Sequence, residues 1–68
     1  MPYDTSSQSL GERILISRRA IGLSQEELAR RLGVGPSTVR RWESGKGQPL
    51  KEHMEKLKET LQDLRVVS

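Results

Sequence analysis

Apolar residues recur at helical spacing in four segments of the chain, and glycine, proline and short polar runs separate these segments. Positions three or four apart lie on one face of an α-helix, so this recurrence predicts amphipathic helices. They are expected at about 9–21, 24–32, 36–43 and 50–64, with the run SGKGQP at 44–49 as a loop. The expected fold is therefore an all-α bundle of four to five helices, without strands and with a long C-terminal helix.

The segment 24–43, SQEELARRLGVGPSTVRRWE, combines several independent signals for helix boundaries. Ser24 and Glu27 have the S-x-x-E spacing of a capping box, which begins a helix. Gly33 follows the last apolar residue, where helices often end in the left-handed backbone region that glycine enters at little cost. Pro36 suits the first turn of a second helix. The segment predicts two short helices joined by a tight turn.

The apolar residues of these two helices predict how they pack. Leu28 and Leu32 lie four apart on one face, and Ala29 beside them is small enough for a second helix to cross closely. Val39 and Trp42 share one face of the second helix and are expected to point into the core. Trp42 also has the alternative of a stacking platform for nucleic-acid bases, but the chain has no Phe to fill a core, which favours the core position.

The opposite face of the second helix is polar and basic. Pro36, Arg40 and Ser44 form one row at four-residue spacing, and Ser37 and Arg41 form the neighbouring row. This outer face contains two arginines and no acid, whereas a solvated face usually mixes both signs. Two helices with such a second helix have the shape of a helix-turn-helix that inserts its second helix into a DNA major groove.

From Leu10 to Pro49 the chain resembles the lambda-repressor-like DNA-binding domains of the Cro/Xre type. The matching residues are GER at 11–13, GLSQEELARRLGV at 22–34, STV at 37–39, WESGK at 42–46, and Pro49. This resemblance implies a non-enzymatic regulator of transcription, with repression as the expected mode, that binds double-stranded DNA. It implies no cofactor, and the chain has no cysteine and a single histidine, which is too little for a metal site.

The resemblance places the base-reading positions of the family on Pro36, Ser37, Arg40 and Arg41. A guanidinium can bond guanine O6 and N7 together, so Arg41 is the best candidate for a specific contact. Arg40 has two options, a base or a phosphate. Pro36 carries no polar group, which leaves it an apolar contact such as one with a thymine methyl.

Phosphate contacts are expected at four positions around this helix. Gln25 begins its helix, where free backbone N–H groups and the positive end of the dipole attract phosphate, and the family uses this position to hold the DNA backbone. Ser44 and Lys46 flank the turn after the second helix, and Arg19 adds charge near the end of the first helix. Such contacts fix the register on DNA and carry no sequence information.

Two charged residues are expected to hold the domain together. In the family, an Arg at the position of Arg18 pairs with a Glu at the position of Glu43, so a partly buried ion pair is implied. The physical argument agrees, because a carboxylate turned towards DNA would repel phosphate. The alternative for Arg18 is a contact with a phosphate. His53 is expected on the polar side of the last helix.

The C-terminal helix departs from the family pattern, which usually has two shorter helices here. Its apolar residues form a seam at spacings of four and three, with two interpretations open: closure of the domain's own core, or a contribution to a homodimer that forms only on DNA. Leu15 and Ile16 present the same choice, between packing on this helix and lining a subunit interface. The seam comprises Leu50, Met54, Leu57, Leu61 and Leu64.

Composition and charge limit the function classes. The 68 residues predict one domain at 9–68 after a disordered tail at 1–8, and no apolar run is long enough to cross a membrane. Residues 1–49 hold eight Lys/Arg against five Asp/Glu, whereas residues 50–68 hold four of each. The excess base therefore lies with the motif, as nucleic-acid binding requires. A cytoplasmic, nucleoid-associated protein is expected.

Two other functions are compatible with the sequence. The same fold serves as a protein-interaction module, and it serves as the DNA-binding partner of another protein, as in antitoxins. The heptad-like seam of the last helix would suit a protein partner. Retention on specific DNA in the presence of competitor distinguishes DNA binding from the first alternative, and co-purification of a second chain would reveal the other.

Overall fold

The computed structural model describes residues 9–61, so the predicted tail at 1–8 and the segment 62–68, including Leu64, lie outside the described residues. The described part contains four helices and no strand, which confirms the all-α prediction. None of these helices has the length and apolar character needed to cross a membrane. The helices are α1 (Leu10–Ala20), α2 (Gln25–Leu32), α3 (Pro36–Glu43) and α4 (Lys51–Thr60).

The first helix begins at a capping box and buries one face in the core. The Ser9 hydroxyl accepts the main-chain N–H of Glu12 at 3.1 Å, and the Glu12 carboxylate accepts the main-chain N–H of Ser9 at 3.0 Å. This reciprocal box satisfies two donors that a helix start leaves without partners. Ile14 and Ser17 are buried on its inner face, whereas Ile21 is 49% exposed.

The two motif helices are bounded by local backbone chemistry. Ser24 and Glu27 form the second capping box, at 2.9 and 3.0 Å. Gly33 ends α2 with φ of 74°, in the left-handed region where a side chain would be strained. Gly35 precedes α3 without a side-chain cap, and Pro36 occupies the first turn. The turn 33–35 therefore follows from glycine and proline, as predicted.

A single apolar core lies among the four helices. The third helix packs against α1 and α2, and α2 packs against α4. Trp42 is only 5% exposed, which confirms its predicted core position. Leu10, Leu23, Val34 and Met54 pack against this core from its edge. The buried apolar residues are Ile14, Leu28, Ala29, Leu32, Val39, Trp42, Leu57 and Leu61.

The last helix differs from the prediction at both ends. Leu50 is its N-cap and is 61% exposed, so this residue does not contribute to an apolar seam. The helix ends at Thr60, and Leu61 has an extended backbone while its side chain is fully buried. Leu57 is fully buried as well, so Leu57 and Leu61 close the domain's own core and are not a dimer seam. Of the two interpretations of the seam, burial therefore supports closure of the domain's own core.

The first helix leaves one apolar side chain at the surface. Ile16 is 49% exposed, and Leu15 before it is half-buried. The expectation that one of these residues packs on the last helix therefore does not hold for Ile16, whose side chain remains half in solvent.

Candidate nucleic-acid interface

The outer face of α3 is exposed along its length. Pro36, Ser37, Arg40 and Arg41 are all exposed, whereas Val39 on the inner face is fully buried. An α-helix with its side chains is about 10–12 Å across, which fits the major groove of DNA, about 12 Å wide. The structure thus brings the four expected base-reading residues together on one accessible surface with a rigid support behind it.

Arg41 is held against the loop that follows α3. Its Nη2 donates to the carbonyl oxygen of Lys46 at 3.4 Å. A Cβ added to Gly47 would lie 3.8 Å from the Nε and Nη2 of Arg41. This bond is long, and it occupies one of the five N–H donors of the guanidinium. The remaining donors stay available to a ligand, so the loop orients Arg41 without saturating it.

The main chain of that loop is occupied by helix carbonyls. The N–H groups of Ser44, Gly45 and Lys46 donate to the carbonyls of Arg40, Trp42 and Arg41, at 3.0, 3.2 and 2.9 Å. The Ser44 hydroxyl also donates to the Arg41 carbonyl, at 3.2 Å. A phosphate at this turn would therefore depend on the Lys46 ammonium, while Ser44 would have to exchange its present bond.

The start of α2 contains Gln25, the main phosphate candidate. Its side chain is half-buried, and its Nε2 donates to Glu43 Oε1 at 2.9 Å. The capping box at Ser24 satisfies the main-chain N–H of Glu27, whereas the first N–H groups of a helix have no partner within the helix itself. Arg19, the remaining phosphate candidate, is exposed at the end of α1.

Arg18 and Glu43 form the implied ion pair. Arg18 Nε donates to Glu43 Oε2 at 2.7 Å, and Arg18 Nη2 donates to Glu43 Oε1 at 3.1 Å. The two side chains are 9% and 6% exposed. Arg18 Nη1 also donates to the Leu23 carbonyl at 2.8 Å. The guanidinium therefore joins α1, the turn before α2 and the end of α3, and it neutralises the one acid of α3.

Hydrogen bonding shifts one carboxylate at the start of α2. The main-chain N–H of Ser24, and then its hydroxyl, lower the pKa of Glu27 below its ordinary value of 4.5, and Arg30 and Arg31 act in the same direction. Glu27 therefore stays ionised near neutral pH. Its charge lies at the positive end of the helix dipole, where it stabilises α2.

Sequence reasoning missed two contacts. The Gln25–Glu43 bond joins residues 18 positions apart, and no local pattern indicates it. His53 does not lie on a purely polar face: it is half-buried, its ring lies 5.6 Å from that of Trp42, and its Nδ1 is buried without a hydrogen-bond partner in the described part of the chain. Its four-residue spacing from Leu57 was the available signal. No group of three His, Cys, Asp or Glu suited to a metal occurs among the described residues.

The fold and the motif define a helix-turn-helix domain, and the family comparison agrees. Residues 14–65, more than half of the chain, match a family described as helix-turn-helix. The chain belongs to the lambda-repressor-like, Cro/C1-type helix-turn-helix family of DNA-binding transcription regulators. No curated protein matches the chain.

A solved structure supports the same assignment. The chain is similar to the P22 c2 repressor protein, whose crystal structure contains a synthetic operator, 9T, in the presence of Tl⁺. The two sequences are 30% identical and superpose with a TM-score of 0.79, over 82% of this chain and 85% of that one.

Proposed function

We propose that this protein represses transcription by inserting α3 into the major groove of double-stranded DNA. The observation that carries the proposal is the outer face of α3, where two exposed arginines stand without an acid on a helix fixed from behind by Val39 and Trp42. The likeness to a repressor bound to its operator supports duplex DNA as the ligand. A protein bound to chromosomal DNA would be cytoplasmic and nucleoid-associated.

The side chains of this face suit different contacts. Arg41 is the proposed guanine reader, since a guanidinium bonds O6 and N7 as a pair, and the Lys46 carbonyl directs it. Arg40 contacts a base or a phosphate. Ser37 donates or accepts with several bases, and Pro36 contributes apolar contact.

The proposed phosphate contacts surround this face. Gln25 lies at the start of α2, and Lys46 and Ser44 lie beyond the end of α3. Arg19 lies at the end of α1 and is exposed. These residues would hold the backbones on either side of the groove while α3 reads between them.

A homodimer on DNA remains part of the proposal. One short helix covers only a few base pairs, and two copies on half-sites about 34 Å apart would read enough sequence to define an operator. Leu57 and Leu61 belong to the core, so the pairing surface must lie elsewhere. Of the other residues that the sequence offered for pairing, Leu64 lies outside the described residues, Leu15 is half-buried, and Ile16 on α1 is 49% exposed. A contact with a different protein would compete for the same surface.

Selection of bound sites from random duplex DNA tests the assignment of roles. The wild type should yield a defined half-site. Arg41→Ala should lose preference at one base position, at a cost of about 1–3 kcal/mol for the cognate base. Lys46→Ala serves as the matched control and should weaken cognate and random DNA alike. Equal weakening of both DNAs by Arg41→Ala would remove the base-reading role from this residue.

A further inference from the structure

The carboxylate of Glu43 connects a buried cation to a residue at the surface. It accepts two N–H groups from Arg18, at 2.7 and 3.1 Å, and one from the side-chain amide of Gln25, at 2.9 Å. Arg18 is fixed in turn by the Leu23 carbonyl. The three side chains therefore form a continuous chain of bonds from α1, through the last residue of α3, to the first residue of α2.

The chemistry of these groups fixes the orientation of the Gln25 amide. An ionised carboxylate only accepts hydrogen bonds, so Gln25 must turn its NH₂ group towards Glu43. Glu43 is itself held in place, because Arg18 donates to both of its oxygens and its side chain is only 6% exposed. One N–H of the amide is used in this bond, and the second remains available to another acceptor.

We propose that Glu43, held by Arg18, is a positioning residue that holds the Gln25 amide in place for a DNA phosphate. The inference rests on the proposed DNA binding and adds a residue that does not itself touch DNA. Gln is among the side chains that lose most rotamer freedom when they are fixed. Holding its amide before DNA arrives removes that entropy cost from binding.

The same arrangement solves an electrostatic problem. A free carboxylate beside a phosphate site would repel the DNA, and Glu43 lies within hydrogen-bond distance of Gln25. The bidentate Arg18 guanidinium neutralises this charge, so that only a neutral amide is presented to the phosphate. The positioning role therefore depends on the ion pair and not only on the presence of an oxygen at residue 43.

A double-mutant cycle in DNA affinity tests the positioning role. The wild type, Gln25→Ala, Glu43→Gln and the double variant are titrated with the selected half-site, and each affinity is corrected for the folded fraction. Gln25→Ala should weaken binding about fivefold in the wild-type background, the worth of one hydrogen bond, and under about twofold beside Glu43→Gln. The salt dependence should not change, since the amide carries no charge. Equal losses in both backgrounds would overturn the inference.

Glu27→Gln gives the matched control. It also removes a negative charge near the start of α2, but Glu27 bonds Ser24 and not Gln25. Gln25→Ala should cost the same about fivefold in this background. A tighter-binding Glu43→Gln variant would show that Glu43 acts only as a repelling charge. If the wild type binds no duplex DNA, both the proposed function and this inference are wrong. If it binds but Gln25 and Glu43 are not coupled in DNA affinity, only this inference is wrong.

A measurement on the unmodified protein covers the case in which Glu43→Gln fails to fold. The NMR order parameter of the Gln25 side-chain NH₂ is compared with that of Gln48, which is exposed. The inference predicts a rigid Gln25 amide in the free protein and a mobile Gln48 amide. Equal mobility of the two groups before DNA is added would contradict positioning by Glu43.

Discussion

Gly11 lies directly against the carbonyl oxygen of Trp42. A Cβ added to Gly11 would overlap that oxygen and would come within 2.8 Å of the Glu43 carbonyl oxygen. These atoms belong to the main chain, so neither can rotate away as a flexible side chain would. The absence of a side chain at Gly11 therefore allows α1 to approach the end of α3 this closely.

Gly11→Ala should destabilise the domain by about 1–3 kcal/mol, the usual cost of forcing an extra methyl into a packed interface. Alanine favours a helix more than glycine does, and this gain offsets part of the loss. Urea unfolding measures the difference. Gly47→Ala is the control, because its Cβ would make only ordinary contact with Arg41, at 3.8 Å, and its change should be within about 0.5 kcal/mol. Equal stability of the two variants would contradict the close approach of α1 and α3.

Glu43→Ala should be strongly destabilising. It leaves the Arg18 guanidinium, 9% exposed, without its partner, and removing one partner of a buried pair costs about 3–5 kcal/mol. Replacement of both residues by apolar ones, as in Arg18→Met with Glu43→Leu, should recover part of the loss, since no buried charge remains. Thermal unfolding checks both. A loss below about 1 kcal/mol for Glu43→Ala would show a pair that behaves as a surface salt bridge.

Acid should weaken the start of α2 through Glu27. Folding lowers the pKa of this carboxyl, so its contribution to stability is fully present above its ordinary value of 4.5 and is lost as the pH falls through the lower folded value. The wild type should therefore be more stable than Glu27→Gln at pH 7, and the two should converge in strong acid. Glu59→Gln, on the exposed side of α4, controls for the loss of one negative charge. A stability difference that does not change with pH would be inconsistent with this titration.

Leu61→Asp should unfold the domain. The side chain of Leu61 is fully buried, and an unpaired carboxylate in an apolar core costs more than the about 2–5 kcal/mol of a Leu→Ala change. Ile16→Asp is the comparison, because half of that side chain is already in solvent, and this variant should stay folded. Circular dichroism and thermal unfolding decide. A folded Leu61→Asp protein with an unchanged melting temperature would show that Leu61 is not a core residue, and the dimer interpretation of Leu61 would then apply.

The sequence was sufficient to predict those features of the fold that depend on only a few neighbouring residues. The capping box at Ser24, the left-handed Gly33 and the proline start of α3 are local backbone requirements, and all occur as predicted. The inward side of α3 was also predictable, because Trp42 is the one large aromatic residue within the motif. The exposure of the outer face of α3 followed by elimination.

The features that the sequence did not predict depend on contacts between distant parts of the chain. Heptad-like spacing predicted a helix through Leu64, whereas α4 ends at Thr60 and Leu61 is buried in the core with an extended backbone. The bond from Gln25 to Glu43 depends on how α2 and α3 cross, which no local pattern contains. The Arg18–Glu43 pair came from family resemblance. The DNA contacts of individual side chains stay predictions.

The salt dependence of binding to duplex DNA tests the central claim most directly. Only charged contacts release counterions, and Lys46, Arg19 and, where it contacts a phosphate, Arg40 give two or three of them per copy. Two copies per site give about four to six such contacts, and each contributes about −0.9 to the slope of log affinity against log salt. Fluorescence anisotropy between about 50 and 200 mM salt should therefore give a slope of about −4 to −5 for the selected palindromic site. A slope close to zero, or no binding at the lowest salt, would contradict DNA binding by α3.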